Sequence, residues 1–268
     1  MYDYHFHTTF SGDSTIDPEE GIQRAIKEGI KEIVVTDHIE LNVWRPGDIF
    51  DHDMVDLPRY FKTFNHLTEK YKGKIAIKIG LEVGLQVEEK QAIDQLIHSY
   101  PLDFVIGSTH TIDKIDLYYG KIYEEDKATA YDLYFNEVLR NVKTFDCYNV
   151  YGHLDLIIRY ALGKYEDVKI STADMEIVRT ILKEIITRGK GIEVNTSGYR
   201  YGLNSTNPDM EILKLYRQLG GEIITVGSDA HSIEHLGANI QETYELLKCL
   251  GYKYITTFDR MKPLQIKL

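Results

Sequence analysis

The feature that most constrains the fold is a regular alternation of short apolar runs with longer helical patterns. Continuous runs of apolar and β-branched residues are typical of parallel strands that are buried on both faces. The runs predict seven strands, at Tyr2–Phe6, Glu32–Thr36, Ile75–Leu81, Phe104–Gly107, Asn149–Gly152, Gly191–Asn195 and Ile223–Gly227. Because the βα units repeat without a break, the pattern predicts an α/β fold built as one closed or nearly closed parallel barrel.

Helical segments fill the intervals between these strands. The run Asp17–Glu20 combines an N-cap, a proline at the first helical position and acids in the first turn, and its helix is expected to end near Gly29. The other predicted helices are Pro58–Tyr71, Glu88–Ser99, Ala128–Lys143, Thr172–Arg188, Pro208–Leu219 and Leu236–Leu250. A late strand at Tyr254–Thr257 is a possible addition to the seven.

The length agrees with a barrel that forms one domain. The chain has 268 residues, and α/β barrels commonly contain about 250 residues in a single unit. No linker rich in Pro, Gly or Ser divides the sequence, and its composition does not change abruptly. We therefore expect residues 1–268 to form a single domain.

Composition excludes several classes of partner and site. The chain has 42 Asp and Glu against 31 Lys and Arg, a formal charge of −11, which disfavours binding to nucleic acid or to anionic membranes. No apolar run approaches the roughly 20 residues that span a bilayer, and the first residues do not resemble a secretory signal. The only cysteines, Cys147 and Cys249, indicate a reducing cytoplasm and are too few for a thiolate zinc site. A metal in this protein must therefore be held by His and carboxylates.

Most of the ten histidines follow the ends of predicted strands. In a parallel barrel, reactive groups gather at the carboxyl ends of the strands, and six of the seven strands end in a potential metal ligand. His5 and His7 lie two residues apart, so both side chains can face one cation. The full set of candidate ligands is His5, His7, Asp13, His38, Glu82, His110, His153, Asp229 and His231.

Nine candidate ligands are too many for one ion, because a tetrahedral zinc needs four. Six imidazoles and three carboxylates suit two or three divalent ions of Zn, Mn or Fe. A carboxylate such as Glu82 can bridge two ions, and adjacent ions about 4 Å apart acidify a shared water and stabilise an in-line phosphoryl displacement. The residues therefore predict a multinuclear metallohydrolase, with phosphate esters as the leading substrate class.

This arrangement resembles the PHP (polymerase and histidinol phosphatase) family from residue 3 to about residue 240. The family's motifs occur in order as His5-Phe6-His7, Thr36-Asp37-His38, Glu82, His110, Gly152-His153 and Ser228-Asp229-Ala230-His231. The resemblance implies a distorted (β/α)7 barrel, which agrees with the seven predicted units. It also implies three metal sites: His5, His7, Glu82 and Asp229; Glu82, His110 and His153; and Asp13, His38 and His231. Many members have a histidine in the place of Asp13.

Within the family, the short stand-alone chain is most similar to the phosphatases of histidine biosynthesis. That similarity implies hydrolysis of L-histidinol phosphate to L-histidinol and phosphate, and it implies that two arginines hold the substrate phosphate. Arg159 lies beyond the fifth predicted strand and Arg200 follows the sixth. A guanidinium fork matches phosphate oxygens, although a surface or ion-paired role is the alternative for each.

The mechanistic hypothesis is an in-line attack on phosphorus by a hydroxide that bridges the metals, with the arginines neutralising the equatorial oxygens. Glu82, Asp229 and His231 are the predicted catalytic residues. The acid that protonates the leaving alcohol stays open between a metal-bound water, Asp229 and a histidine.

A long loop from Leu41 to Pro58 is the segment predicted to recognise the rest of the substrate. That loop contains Trp44, Arg45, Asp48, Asp51, Asp53 and Asp56. Its acids are candidates to receive the cationic groups of histidinol, and a solvated polar loop without a binding role is the alternative, which is slightly favoured.

Three alternatives remain at this point. The first is another PHP phosphoesterase, acting on protein phosphotyrosine or on nucleotides. The second is a metal-dependent amidohydrolase, since those barrels also begin with His-X-His. Its usual lysine is absent from Phe104–Gly107. The third is a metal-storage or regulatory role, for which a lost ligand would be the mark. Four histidines, His52, His66, His98 and His235, have no assigned role, and His66 and His98 are predicted on helix surfaces.

Overall fold

The computed structural model describes residues 1–45 and 49–268. Its strands are β1 Tyr2–Phe6, β2 Glu32–Val35, β3 His38–Arg45, β4 Ile49–Met54, β5 Ala76–Gly84, β6 Phe104–Ser108, β7 Thr111–Ile112, β8 Ile115–Asp116, β9 Val150–Tyr151, β10 Gly191–Asn195, β11 Ile224–Gly227, β12 Tyr254–Asp259 and β13 Lys262–Lys267. Its helices are α1 Pro18–Lys27, α2 Leu57–Lys70, α3 Lys90–His98, α4 Lys127–Thr144, α5 Ile157–Ala161, α6 Thr172–Thr187, α7 Ser197–Arg200, α8 Met210–Gln218 and α9 Ile240–Cys249. Short 3₁₀ turns cover Val87–Glu89, Leu117–Tyr119, Lys121–Glu124 and Ile233–His235.

Seven parallel strands form the frame in the spatial order β1, β2, β5, β6, β9, β10, β11. The sheet almost closes on itself, because an isolated parallel bridge joins Phe6 to Ala230 just beyond β11. The His7 N–H donates to the Ala230 carbonyl at 2.9 Å, and the Asp229 N–H donates to the His5 carbonyl at 2.6 Å. The predicted α/β fold, a distorted (β/α)7 barrel, is confirmed. Its distortion lies at this seam, where a bridge replaces a regular ladder.

The lower interior of the barrel is apolar. Its cluster consists of Tyr4, Val34, Phe104, Ile106, Val150 and Phe258. The rings of Tyr4 and Phe104 meet edge to face with their centroids 5.1 Å apart, and Phe258 from β12 closes the cluster at 5.0 Å from Phe104. A larger apolar core lies between the sheet and the helices. Burial of these rings stabilises the barrel below the level of the strand ends.

A bulge in β1 separates this apolar interior from the polar rim above it. Asp3 pairs with Ile33 and Phe6 pairs with Val35, so β1 has one residue more than β2 over this interval. An extra residue bends a strand and changes the direction of its side chains. Tyr4 accordingly packs in the apolar cluster, while the next residue, His5, contacts carboxylates at the strand ends.

Among the described residues, three antiparallel hairpins are additions to the predicted seven-stranded frame. β3 pairs with β4, β7 with β8, and β12 with β13 in a separate two-stranded sheet. The prediction of a loop from Leu41 to Pro58 is therefore wrong for most of its described part, which is strand up to Arg45 and again from Ile49 to Met54. Apolar residues alternate at Ile39, Leu41 and Val43, all of them buried, and this period of two is the signal for β3. Asp48 and the side chains of Asp51 and Asp53 lie outside the described part of the chain. Their predicted role in substrate recognition therefore stays a prediction.

The late strand is also placed differently from the expectation. β12 forms where a strand was predicted from Tyr254 to Thr257, but it pairs only with β13 among the described strands and does not extend the barrel. Among the described helices, none combines the length and the apolar character that crossing a membrane requires.

Candidate metal centre

The nine predicted ligands meet at the carboxyl ends of the parallel strands. His5 ends β1 with His7 just beyond it, His38 begins β3, and Glu82 lies in β5. His110, His153 and Asp229 follow β6, β9 and β11 by two residues each. All nine side chains except Asp13 are buried or half-buried. The structure thus brings together, on one rim, groups that are more than 200 residues apart in sequence.

The carboxylate of Glu82 lies at the centre of this rim. Its Oε1 is 2.8 Å from His153 Nε2 and 3.3 Å from His110 Nε2. Its Oε2 lies 3.2 to 3.4 Å from imidazole nitrogens of three further histidines, His5, His7 and His38. One carboxylate therefore faces two groups of imidazoles, one with each oxygen, as a ligand that bridges two ions would.

Asp229 lies next to His5 and His7 of the first group and next to His231. Its Oδ1 is 3.6 Å from Nε2 of both His5 and His7, and 3.6 Å from Nδ1 of His231. Its backbone has φ of 52°, a left-handed conformation that non-glycine residues adopt only when the surrounding structure enforces it. At the seam between β11 and β1 the Asp229 N–H donates to the His5 carbonyl, so the residue in this conformation is anchored to β1.

Asp13 marks the outer edge of the rim. Its Oδ2 is 3.2 Å from His231 Nε2 and 3.5 Å from His38 Nε2, while its side chain is 57% exposed. The His7 and His231 rings stack with centroids 4.1 Å apart. This third group is the most open to solvent of the three that the sequence predicted.

The electrostatics favour anionic carboxylates among the imidazoles. Burial alone would raise the pKa of Glu82, but His5 and His110 hold it well below its usual value. Burial would likewise raise the pKa of Asp229, which His5 and the neighbouring His7 and Arg159 instead keep well below its usual range. Burial and the nearby His231 and His38 lower the pKa of His7 to about 4. Anionic carboxylates and a neutral imidazole are the forms that bind metals.

The arrangement fits divalent cations. His5 Nε2 and His7 Nε2 are 2.9 Å apart, and His110 Nε2 and His153 Nε2 are 3.4 Å apart. Imidazole nitrogens converge in this way where a shared cation accepts both lone pairs. Among the residues that the structure describes, four groups have one donor atom from each member within 4.8 Å of the others: His5, His7 and Asp229; His7, His38 and His231; Glu82, His110 and His153; and His38, Glu40 and His110. Imidazole with carboxylate is a donor set suited to Zn, Mn or Fe.

Comparison with known proteins identifies the family of this chain. The family model of the PHP domain matches residues 3–197. The chain belongs to the PHP domain family. The predicted family is thereby confirmed.

Two bacterial relatives of this PHP domain are named as a histidinol-phosphatase and a probable histidinol-phosphatase. It is 37% identical to the histidinol-phosphatase of Lactococcus lactis, with 97% of this chain and 95% of the relative covered. It is 32% identical to a probable histidinol-phosphatase of Clostridium acetobutylicum, covering 94% and 95% of the two chains.

Two solved structures resemble this PHP domain along its length. The crystal structure of the L. lactis histidinol phosphate phosphatase, complexed with zinc, L-histidinol and phosphate, matches with a TM-score of 0.87 and 35% identity over 98% of both chains. A putative histidinol phosphatase from Listeria monocytogenes matches with a TM-score of 0.78 at 24% identity, over 91% of this chain and 100% of that one, and supports the fold alone.

The two predicted arginines of this PHP domain approach the centre from α5 and α7. Arg159 donates from Nη2 to Asp229 Oδ2 at 3.2 Å and to Ser197 Oγ at 2.5 Å, and its guanidinium lies 4.6 Å from the Tyr201 ring centroid. Arg200 donates to the backbone carbonyls of Ser228 and Asp229. Arg159 therefore contacts the side chain of a candidate ligand, whereas the hydrogen bonds of Arg200 hold the loop that carries Asp229.

Sequence reasoning missed two carboxylates of this centre, Glu40 and Glu193. Glu40 lies two residues after His38 on β3, and its Oε1 is 2.5 Å from His110 Nδ1. Glu193 lies in β10, with Oε1 2.5 Å from His5 Nδ1. A lone acid inside the apolar run of β10 was the available signal for Glu193. The period of two from His38 was the signal for Glu40, but the predicted strand ended at Thr36 and no strand was assigned to these residues.

Three histidines without an assigned role stay apart from the centre. The side chains of His66 and His98 are exposed on α2 and α3, as predicted. His235 lies in a 3₁₀ turn with its Nδ1 3.0 Å from Ser232 Oγ. The side chain of the fourth, His52, lies outside the described part of the chain.

Proposed function

We propose that this protein is a metal-dependent phosphomonoesterase that hydrolyses L-histidinol phosphate to L-histidinol and inorganic phosphate. The observation that carries the proposal is the Glu82 carboxylate between two groups of histidines, with Arg159 paired to Asp229 in the same centre. The fold that builds this centre matches, over 98% of its length, an enzyme whose crystal structure holds zinc, L-histidinol and phosphate.

The candidate ligands divide into three groups on this proposal. The first is His5, His7, Glu82 and Asp229; the second is Glu82, His110 and His153; the third is Asp13, His38 and His231. Two or three divalent ions of Zn, Mn or Fe held there would acidify water and offset negative charge on a phosphate ester. Glu82 belongs to the first and second groups because its two oxygens face different histidines.

Arg159 and Arg200 are the proposed phosphate-binding residues. Arg159 is half-buried as a residue, and its Nε–H is a buried donor without a hydrogen-bond partner among the described residues. A phosphate oxygen would satisfy that donor, and the guanidinium would neutralise charge on the equatorial oxygens as the transition state forms. Arg200 already donates to two carbonyls, so it contributes its charge and its remaining N–H groups.

Asp229 and His231 are assigned to the attacking water and to the leaving group, respectively. The pKa of Asp229 is held well below its usual range by His5 and Arg159 despite burial, so its carboxylate is anionic and can orient the attacking water by accepting a hydrogen bond from it, while the proton of the water passes to solvent. The water oxygen then bonds to phosphorus as the bond to the ester oxygen breaks. His231, whose Nδ1 lies 3.6 Å from Asp229 Oδ1, is the proposed proton donor to the departing alkoxide when its Nδ1 carries a proton and only its Nε2 faces the third group of ligands.

The remaining predictions concern partners and setting. We propose that residues 1–268 form one domain that acts on a small phosphorylated substrate rather than on nucleic acid, as the charge of −11 favours. Free Cys147 and Cys249 support a cytoplasmic location, where thiols stay reduced.

The test is phosphate release from L-histidinol phosphate, with phosphotyrosine and AMP as comparators, after loading the metal-free protein with Zn, Mn or Fe. We expect L-histidinol phosphate to be hydrolysed with the highest kcat/KM and the metal-free protein to be inactive. Equal rates on all three esters would reject the substrate assignment. Full activity in excess chelator would reject the metal-dependent chemistry as well.

A further inference from the structure

Two buried carboxylates outside the proposed ligand set each contact the outer nitrogen of one candidate ligand histidine. Glu193 Oε1 is 2.5 Å from His5 Nδ1, and Glu40 Oε1 is 2.5 Å from His110 Nδ1. Glu193 is 1% exposed and Glu40 is 8% exposed. The two pairs lie on different strands, so the same arrangement has been built twice in this centre.

Both oxygens of Glu193 are used. Oε1 accepts from His5, while Oε2 accepts the His153 backbone N–H at 3.0 Å and the Asn195 side-chain amide at 3.2 Å. A Cβ at Gly227 would lie 2.7 Å from Oε1 and would overlap the Cβ of His5, so glycine there leaves space for the pair. Glu193 thus orients the ring of one candidate ligand and the backbone of another.

Glu40 uses only one oxygen among the residues that the structure describes. Its Oε1 faces His110, whereas Oε2 is buried and has no hydrogen-bond partner there. A Cβ at Gly84 would overlap Oε2, so the side chain lies directly against the β5 backbone. The carboxylate is therefore confined to the position in which it meets His110.

The chemical consequence follows from the tautomers of imidazole. A neutral imidazole carries one N–H, and an acceptor at Nδ1 keeps the proton on that nitrogen. The Nε2 lone pair is then free to bind a metal. His5 Nε2 lies 3.2 Å from Glu82 Oε2, and His110 Nε2 lies 3.3 Å from Glu82 Oε1, so both lone pairs are directed toward the central carboxylate.

We propose that Glu193 and Glu40 are positioning residues of the metal centre, which hold His5 and His110 in the Nδ1–H tautomer with Nε2 directed at the ions. Glu193 acts on two candidate ligands, His5 on β1 and His153 beyond the end of β9, and Glu40 acts on one. The proposal rests on the proposed function insofar as these histidines are metal ligands. Neither carboxylate touches the substrate in this scheme.

Glu193 accepts hydrogen bonds with both carboxylate oxygens, whereas Glu40 accepts with one among the described residues. Substitution by glutamine should therefore affect metal binding differently at the two positions. In Glu193→Gln one acceptor becomes an NH₂ donor, which must face either the His5 N–H or the donors at Oε2. In Glu40→Gln the carbonyl can still accept from His110 while the NH₂ takes the place of Oε2. We expect Glu193→Gln to weaken metal binding by about 10- to 100-fold, the range typical of lost outer-shell partners. Glu40→Leu should show a comparable loss, and Glu40→Gln a clearly smaller one.

The experiment measures zinc affinity of each full-length variant by competition with a chromophoric chelator, beside kcat and KM for L-histidinol phosphate. Asp174→Asn is the matched control, since Asp174 is a buried carboxylate of α6 that contacts Ser171. It should bind zinc as the wild type does. Imidazole ¹⁵N spectra of the zinc-loaded wild type should show His5 and His110 protonated at Nδ1.

Failure of the positioning proposal and failure of the proposed function would give different results. Wild-type zinc affinity in both Glu193→Gln and Glu40→Leu, or Nε2–H tautomers in the wild type, would overturn the positioning proposal and leave the proposed function standing. A wild-type protein that binds no zinc and hydrolyses no ester would instead reject the proposed function. Should Glu193→Gln fail to fold, the Glu40 pair decides, and equal zinc affinity in Glu40→Leu and Glu40→Gln overturns the proposal.

Discussion

The rim of the barrel and its lower interior begin one residue apart and have opposite physical characters. Tyr4 packs among aromatic and aliphatic side chains, whereas His5 contacts Glu193 and Glu82. The lower interior is stabilised by burial of apolar surface and by ring contacts. The rim buries carboxylates and imidazoles, which are costly to desolvate unless they are paired or bind ions. The comparison indicates that the lower interior stabilises the fold and that the rim is organised for ligands.

The largest effect is expected from Glu82→Gln in the rim. This change removes the charge that faces both groups of histidines, so kcat should fall by at least about 10³-fold, as when a central electrostatic group is lost from a site. The measurement is phosphate release after metal removal and reconstitution. The matched control is Glu211→Gln, whose side chain is 65% exposed on α8. Wild-type kcat in the reconstituted Glu82→Gln protein would contradict the assigned centre.

Phe104→Ala should have the next largest effect, on stability rather than on chemistry. The ring is fully buried between Tyr4 and Phe258, and its removal leaves a cavity in the lower interior. We expect the free energy of unfolding to fall by about 3–5 kcal/mol, measured by urea denaturation. The kcat of the folded fraction should stay near the wild-type value. A large loss of kcat would show that the two regions are not separable.

Arg159→Ala tests the edge of the rim. Loss of the guanidinium next to Asp229 should lower kcat/KM for L-histidinol phosphate by about 10²-fold, because charge on the phosphate is no longer neutralised. Steady-state kinetics provide the measurement. Arg179→Ala, at an exposed position paired with Glu176, is the control and should leave kcat/KM unchanged. An unaltered kcat/KM in Arg159→Ala would remove this residue from the phosphate site.

The smallest effect, from Tyr4→Phe, sharpens the boundary between the two regions. The Tyr4 hydroxyl accepts the Phe258 N–H at 2.8 Å and donates to Glu32. Its loss should cost about 1–2 kcal/mol of unfolding free energy, since two buried groups lose a partner. Although His5 is the next residue, zinc affinity should not change. A weaker zinc affinity would mean that the bulge transmits changes from the lower interior to the rim.

Much of the fold could be predicted because βα alternation is a local signal. Each apolar run and each helical pattern is legible within about ten residues, and the carboxyl ends of parallel strands must meet at one edge. The hairpin β3–β4 was missed although Ile39, Leu41 and Val43 alternate. The reason is that a polar and acidic segment follows them and resembles a loop. The late strand was predicted, but its partner β13 is exposed and polar, which is a weak strand signal.

The sequence by itself determined the fold class and the set of candidate ligands, because strand order and strand ends follow from periodicity. Only the tertiary structure decided how those ligands are held. The bulge in β1, the seam that anchors Asp229 to β1, and the contacts of Glu193 and Glu40 all depend on the register between strands far apart in the chain. Register arises from packing and closure of the whole barrel, and no local pattern of residues encodes which side chains then meet.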